Sequence, residues 1–203
     1  MMAETSDAAP KGPTLPASCR LIVVSGSSGS GKSTLIRRAL GLPGVRARLA
    51  VSATTRAPRP GEVDHVHYHF LGPDRFREAI DRGEFLEWAE FAGNLYGTPC
   101  SELQSTREGE RLLLEIEVQG ALQVRQCCPD ARMIWVEVPD DGALERRLRA
   151  RGTETEESLA RRLARARWER EQSRIYHHRI LNDDLERAVA ELARWLRDPA
   201  PGE

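Results

Sequence analysis

Between Gly26 and Ser33 the chain reads Gly-Ser-Ser-Gly-Ser-Gly-Lys-Ser, a complete GxxxxGK[ST] pattern. Its surroundings fit as well as its letters. Arg20-Leu-Ile-Val-Val-Ser25 before it holds four consecutive aliphatics, the pattern of a strand buried on both faces of a parallel sheet. Ser33 to Leu40 after it reads as a helix, ended by Gly41, Pro43 and Gly44. Gly26, Gly29 and Gly31 let the backbone curl so that successive N–H groups point inward, and the helix adds its positive N-terminal end. Lys32 at that spacing reaches β- and γ-phosphates, and the Ser33 hydroxyl suits Mg²⁺. A flexible Gly/Ser linker needs neither Lys-Ser at that spacing nor a strand and helix around it. The motif therefore predicts a nucleoside triphosphate with Mg²⁺ and leaves the second substrate open.

The rest of the chain alternates strand and helix patterns. Strands are predicted at 49–52, 65–70, 85–91, 111–116, 132–138 and 179–181. Helices are predicted at 73–82, 101–107, 119–127, about 141–150, 155–173 and 185–197, with 54–61 a loop and 93–97 a turn region. That alternation argues for an α/β sheet. With 203 residues there is room for one domain with a real core. Residues 1–18 show little periodicity and read as a tail, as do 198–203.

Net charge excludes some partners. A formal charge of -1 offers no global basic field for nucleic acid, while the Arg-rich segment 144–170 suits a small polyanion or, more plainly, a solvated helix with i,i+4 pairs. No stretch approaches the roughly 20 apolar residues of a membrane span, and the N-terminal residues lack a basic start and an apolar run. The four cysteines, with Cys127 and Cys128 adjacent and no CxxC, read as reduced thiols of a cytoplasmic protein.

A second anion site is suggested by Arg56 and Arg59, three apart and stiffened by Pro58 and Pro60: two planar guanidiniums in a rigid loop suit a phosphate monoester. Tyr68 and Tyr96 are candidate O–H donors to the same phosphate. Glu87 is a candidate reader of guanine, whose N1–H and N2–H₂ lie on one edge where an ionised carboxylate accepts both; adenine lacks that edge. His65, His67 and His69 alternate and are expected to share one wet strand face rather than bind metal; Trp135 is expected in the core, and Trp168 and Trp195 on packed helix faces.

Taken together, Ser52-Ala-Thr-Thr-Arg-x-Pro-Arg-x-Gly-Glu62, His67-Tyr-His-Phe70, Phe85-Leu-Glu-Trp88, Gly93-Asn-Leu-Tyr-Gly-Thr98, Leu114-Glu-Ile-Glu-Val-Gln-Gly120, Arg151-Gly-Thr-Glu-Thr-Glu-Glu-Ser-Leu159 and Asn182-Asp-Asp-Leu185 resemble the guanylate kinase family in order and spacing, from about residue 20 to 197. The resemblance implies an α/β, P-loop NTPase-like parallel sheet core flanked by helices, with an inserted small mixed GMP-binding lobe and a helical lid. On that reading the core takes about 19–51, 109–145 and 174–197, the lobe 52–108 and the lid 146–173, within one domain over 19–197. It implies ATP and GMP as substrates and Mg²⁺ as cofactor, in purine nucleotide metabolism. Gly26, Ser27, Ser28, Gly29, Ser30, Gly31, Lys32, Ser33 and Thr34 would hold ATP. Arg56, Arg59, Tyr68 and Tyr96 would hold the GMP phosphate, and Ser52, Glu87 and Thr98 the guanine. Arg151 and Arg162 would come from the lid onto the ATP phosphates, so that Lys32, Arg56, Arg151 and Arg162 make up the catalytic set. Glu115 would stand behind the metal. Glu117, on the GMP side, replaces the aspartate usual in the family, and Tyr176-His-His-Arg179 replaces an expected aromatic or acidic segment.

Three rivals are weaker on sequence. Non-catalytic guanylate-kinase-like modules of scaffold proteins look degraded at the phosphate loop, whereas Lys32, Ser33, Arg151 and Arg162 are all present here. A sugar-phosphate kinase has no use for the Ser52, Glu87 and Thr98 set. A nucleotide hydrolase needs a water-positioning residue that the sequence does not supply.

Overall fold

In the computed structural model of the chain, residues 20–150 and 155–197 are described. The two tails expected at 1–18 and 198–203, and Arg151, lie outside the described residues.

Five parallel strands form the central sheet: β1 (Arg20–Ser25), β2 (Ala47–Leu49), β7 (Arg111–Glu115), β8 (Arg132–Glu137) and β9 (His178–Leu181), in the order β2-β7-β1-β8-β9. Both faces are covered, which is why β1, β7 and β8 read as unbroken apolar runs. Alternate residues serve opposite layers. Leu21, Val23, Leu112, Leu114, Met133 and Trp135 pack with α4 (Val118–Cys127) on one face. Ile22, Val24, Leu113, Ile134 and Val136 pack on the other with α1 (Lys32–Leu40) and α7 (Leu185–Arg197). Fully burying each such side chain is worth about 1.5–3 kcal/mol, so the sheet rigidly fixes the loops at its carboxyl edge.

A second, mixed sheet runs β4 (His69–Phe70), β3 (Ala53–Thr54), β6 (Asn94–Pro99), β5 (Phe85–Phe91). β3 is parallel to β4 and antiparallel to β6, and β5 is antiparallel to β6. α2 (Pro73–Asp81) and α3 (Ser101–Gln104) accompany it. A third apolar cluster joins Val138, Leu144 and Leu148 to Leu159 and Ala166, packing α5 (Asp141–Arg149) against α6 (Glu156–Gln172). Thr155 caps α6 with a reciprocal Ser158 bond, and Arg167 and Arg170 bind Asp141 at the start of α5.

Several local expectations are corrected. The strand expected at 49–52 splits: β2 ends at Leu49, and β3 begins only at Ala53, in the other sheet. The strand expected at 65–70 shrinks to His69–Phe70, because His65 adopts a left-handed φ of 62° and opens a turn. The three histidines therefore do not share a strand face: His65 Nδ1 meets His69 Nδ1 at 2.8 Å, while His67 Nδ1 accepts from Val63 N–H. Asn94–Pro99 is a strand rather than a turn, pairing with β5 through a two-residue hairpin at Ala92 and Gly93, both with positive φ. Trp135 is core as expected, and Trp195 packs under Arg132, but Trp168 is 41% exposed on α6.

Candidate functional site

The carboxyl end of β1 opens into the phosphate loop, and the loop is held from three sides. Gly31 caps α1 with φ 89°, and a Cβ there would lie 2.6 Å from Asn182 Nδ2. That amide donates to Ser30 O at 2.7 Å, Arg147 from α5 donates to the same carbonyl at 3.1 Å, and Arg147 also donates to Asn182 O at 2.6 Å. Lys32 is 9% exposed, and its ammonium donates to Gly26 O across the loop. The loop is thus held in shape by side chains from α5 and the β9–α7 turn, with the Lys32 ammonium lying across it.

A cleft of about 300 Å³ runs from this loop to the second sheet. Ser27 through Thr34 line one end; Ser52, Tyr68, Glu87 and Tyr96 line the other; Glu115 and Glu117 lie between. Ser33 donates to Glu115 Oε1 at 2.6 Å, pairing two hard oxygen ligands beside the loop. Such a set fits Mg²⁺, which takes one or two protein oxygens and completes its shell with water and phosphate.

At the far end Glu87 is 4% exposed, and its Oε1 accepts the Thr98 hydroxyl at 2.7 Å. Burial pushes the Glu87 carboxyl up to about 7, against the smaller opposing effect of the Thr98 bonds. Thr98 is wholly buried, and its hydroxyl goes to the Glu87 carboxylate. Arg56 is held by Glu62 through two 2.9 Å bonds and sits 5.4 Å from the Tyr68 ring centre. Arg56 first, and the Arg59 backbone N–H second, hold the Glu62 carboxyl down at about 2. Burial raises the Tyr68 phenol, keeping it a proton donor at neutral pH. Arg56 and Arg59 are not among the cleft-lining residues, and Arg59 is exposed; both act on the Glu62 carboxylate, Arg56 through its guanidinium and Arg59 through its backbone N–H.

α6 lies over the phosphate loop. Arg162 donates to Ser28 Oγ at 3.0 Å, Ser27 Oγ reaches Ala166 O at 3.5 Å, and Arg165 stands 4.4 Å above the Phe91 ring on β5. The helix therefore touches both ends of the cleft.

Four participants were not foreseen. Glu169, 2% exposed, binds Arg165 through Oε1, while Oε2 is buried with no donor among the described residues; burial first and Glu117 second lift its carboxyl above the usual range. In the sequence both fall in the Arg-rich segment 144–170, which reads as a solvated helix with i,i+4 pairs. Arg147 was one arginine among many in its segment. Glu62, the last residue of the 52–62 motif, holds both the Arg56 guanidinium and the Arg59 backbone N–H. Gln123 of α4 takes Trp88 N–H at 3.1 Å and gives an N–H to Trp88 O at 2.6 Å, fastening α4 to β5. In Tyr176–Arg179 only Tyr176 is buried, its ring centre 5.2 Å from that of Trp135; half-buried His178 lies 3.7 Å from the Trp195 ring centre, and His177 and Arg179 are exposed, Arg179 donating to Ser173 Oγ.

Comparison with known proteins agrees along the chain. A family profile described as guanylate kinase matches residues 18–199. A guanylate kinase of Thermosynechococcus vestitus is 48% identical over 183 residues, covering 90% of this chain and 95% of the relative. One of Rubrobacter xylanophilus is 50% identical over 180 residues, covering 88% and 93%. The crystal structure of guanylate kinase from Anaplasma phagocytophilum superposes with a TM-score of 0.71 at 30% identity, covering 89% of this chain and 86% of that one.

Proposed function

The chain belongs to the guanylate kinase family and is a phosphotransferase; from that premise we propose that the described cleft is where it moves the γ-phosphate of ATP onto GMP, giving ADP and GDP. The observation that carries the assignment is the joining, in one cleft, of a preformed phosphate loop and a buried carboxylate at opposite ends.

The division of labour follows from chemistry at each end. The loop amides and Lys32 hold the donor phosphates. Ser33 would hold Mg²⁺, with Glu115 behind it accepting from the Ser33 hydroxyl, and the ion when bound would neutralise phosphate charge. Glu87 accepts from guanine N1–H and N2–H₂, supported behind by Thr98. Tyr68 and Tyr96 give O–H donors to the acceptor phosphate, and Arg56, parked on Glu62, swings or reaches to it with Arg59. The GMP phosphate is itself the nucleophile, so positioning and charge neutralisation do the catalysis, with no strong general base. Arg162 sits within hydrogen-bond reach of the loop, as a cation delivered in cis must. In the same proposal the second sheet with its helices is the acceptor lobe, α5 and α6 the lid, and lid contact excludes the water that would compete with GMP. Arg151 falls outside the described residues, and its role remains the one its sequence position suggests.

Cytoplasmic residence belongs to the proposal too. No described helix is long and apolar enough to cross a membrane, and among the described residues no cysteine forms a disulfide. The test is ADP formation from Mg·ATP with GMP, AMP, CMP, UMP or no acceptor. Turnover with GMP alone is expected; equal turnover without an acceptor would refute the transfer reaction.

A further inference from the structure

Gly120 is the third residue of α4 and lies against the carboxylate that faces the acceptor base. A Cβ placed on Gly120 falls 2.0 Å from Glu87 Oε2 and 2.9 Å from its Cδ. Nothing in the helix asks for glycine there, since its φ is not positive and alanine is the better helix former. The demand comes from Glu87, and the two backbones that face each other there are held, which leaves the carboxylate as the part that can shift. Glu87 is 4% exposed, tied to Thr98 Oγ1 at 2.7 Å and paired with Thr98 in the β5–β6 ladder. α4 is fastened by Gln123, three residues further on, to both backbone groups of Trp88, the neighbour of Glu87.

We propose that Gly120 is a specificity-determining positioning residue: its missing side chain forms the slot that seats the Glu87 carboxylate, and the Gln123 clamp sets the depth of that slot. The inference rests on the reading of Glu87 as the guanine acceptor. A methyl group at Gly120 must stand at least 3.0 Å from the carboxylate, so Glu87 moves by about 1 Å or more. The carboxylate is the movable end of a side chain, so the methyl displaces the reader of the base rather than the fold. A carboxylate moved by that much no longer meets a seated base edge, and a charge-assisted hydrogen bond lost there costs on the order of 10²-fold.

The experiment compares wild type, Gly120→Ala, Glu87→Asp, Gly120→Ala/Glu87→Asp, Gln123→Ala and Glu87→Gln, measuring KM for GMP, KM for ATP, kcat and Tm. Gly120→Ala is expected to raise the GMP KM by about 10²-fold with the ATP KM unchanged and Tm not lowered. The shorter aspartate makes room for the methyl, so the double variant is expected to bind GMP about tenfold better than Gly120→Ala, although Glu87→Asp alone weakens binding. Gln123→Ala, which adds no atoms, is expected to raise the GMP KM by a few-fold and keeps the test alive if Gly120→Ala fails to fold. A folded Gly120→Ala with normal GMP KM, a joint loss of ATP and GMP binding with lowered Tm, or a double variant no better than the single would each overturn the slot. If Glu87→Gln leaves the GMP KM unchanged, the guanine reading itself fails and takes the slot with it. If Glu87→Gln is impaired while Gly120→Ala and Gln123→Ala are normal, the slot alone fails.

Discussion

On the proposed reading the two ends of the cleft recognise their ligands by different means. The phosphate loop is one contiguous stretch whose backbone N–H groups would do the binding, and its supports, Asn182 and Arg147, grip a backbone carbonyl. The acceptor end is assembled from side chains of separate elements: Glu87 on β5, Thr98 on β6, Tyr68 just before β4, and α4 behind them. A phosphate asks only for converging donors and positive potential, which curled backbone supplies. A base edge asks for acceptors at fixed places, which only positioned side chains supply. Damage at the first end should therefore fall on chemistry and the donor, and damage at the second on the choice of acceptor.

The largest expected effect lies on the helix that touches the loop. Arg162→Ala should lower kcat by about 10³-fold or more, the scale of a cation supplied to a transferring phosphoryl group, and leave GMP affinity nearly unchanged by equilibrium titration. Matching losses in both would erase the contrast. Next is Glu87→Gln, which removes the charge and one acceptor from the base reader. It should cut kcat/KM for GMP by about 10²-fold, with the affinity for an ATP analogue intact.

A pH dependence sharpens the same contrast at about tenfold. The Glu87 carboxyl titrates at about 7 in the folded protein against an ordinary 4.5. Its contribution to stability is therefore present below pH 4.5 and is lost as pH rises through 7. Guanine's donors favour the ionised form, so GMP binding releases a proton there, and affinity should rise by about tenfold from pH 6 to pH 8 beyond the rise shown by Glu87→Gln. That subtraction removes titration of the GMP phosphate itself. A wild-type slope equal to the variant's would contradict the assignment. The smallest effect is expected from Glu62→Gln, which loosens Arg56 without touching the base: the GMP KM should change by a few-fold and the preference for GMP over other acceptors should not.

The same contrast explains what could be read from the sequence. The phosphate loop, β1 and α1 were legible because the signal is local: a strand, a spacing and a helix start within about 20 residues. β5 and α7 were legible to the residue. Glu87, Tyr68 and Tyr96 were found as candidates from residue chemistry, and a family resemblance joined them; the structure brings them to one cleft. Arg59, expected beside Arg56 on one phosphate, is exposed, because proline stiffening of 58–60 fixes the backbone and not the direction of a guanidinium. The histidine strand failed because alternation counts letters and cannot sense the left-handed turn at His65. Glu169 was missed because an i,i+4 partner to Arg165 looks the same on a solvated helix as on one pressed against a phosphate loop. Gly120 was quoted in a motif, but its meaning depends on a side chain 33 positions earlier in the chain.

The most direct test of the central claim, that Glu87 at one end selects the acceptor for the phosphate loop at the other, is the ratio of kcat/KM for GMP over IMP, which differ only by the 2-amino group. The account predicts GMP preferred by about 10²-fold, the worth of one charge-assisted hydrogen bond, with the preference collapsing in Glu87→Gln. Equal use of GMP and IMP by the wild-type protein would contradict it.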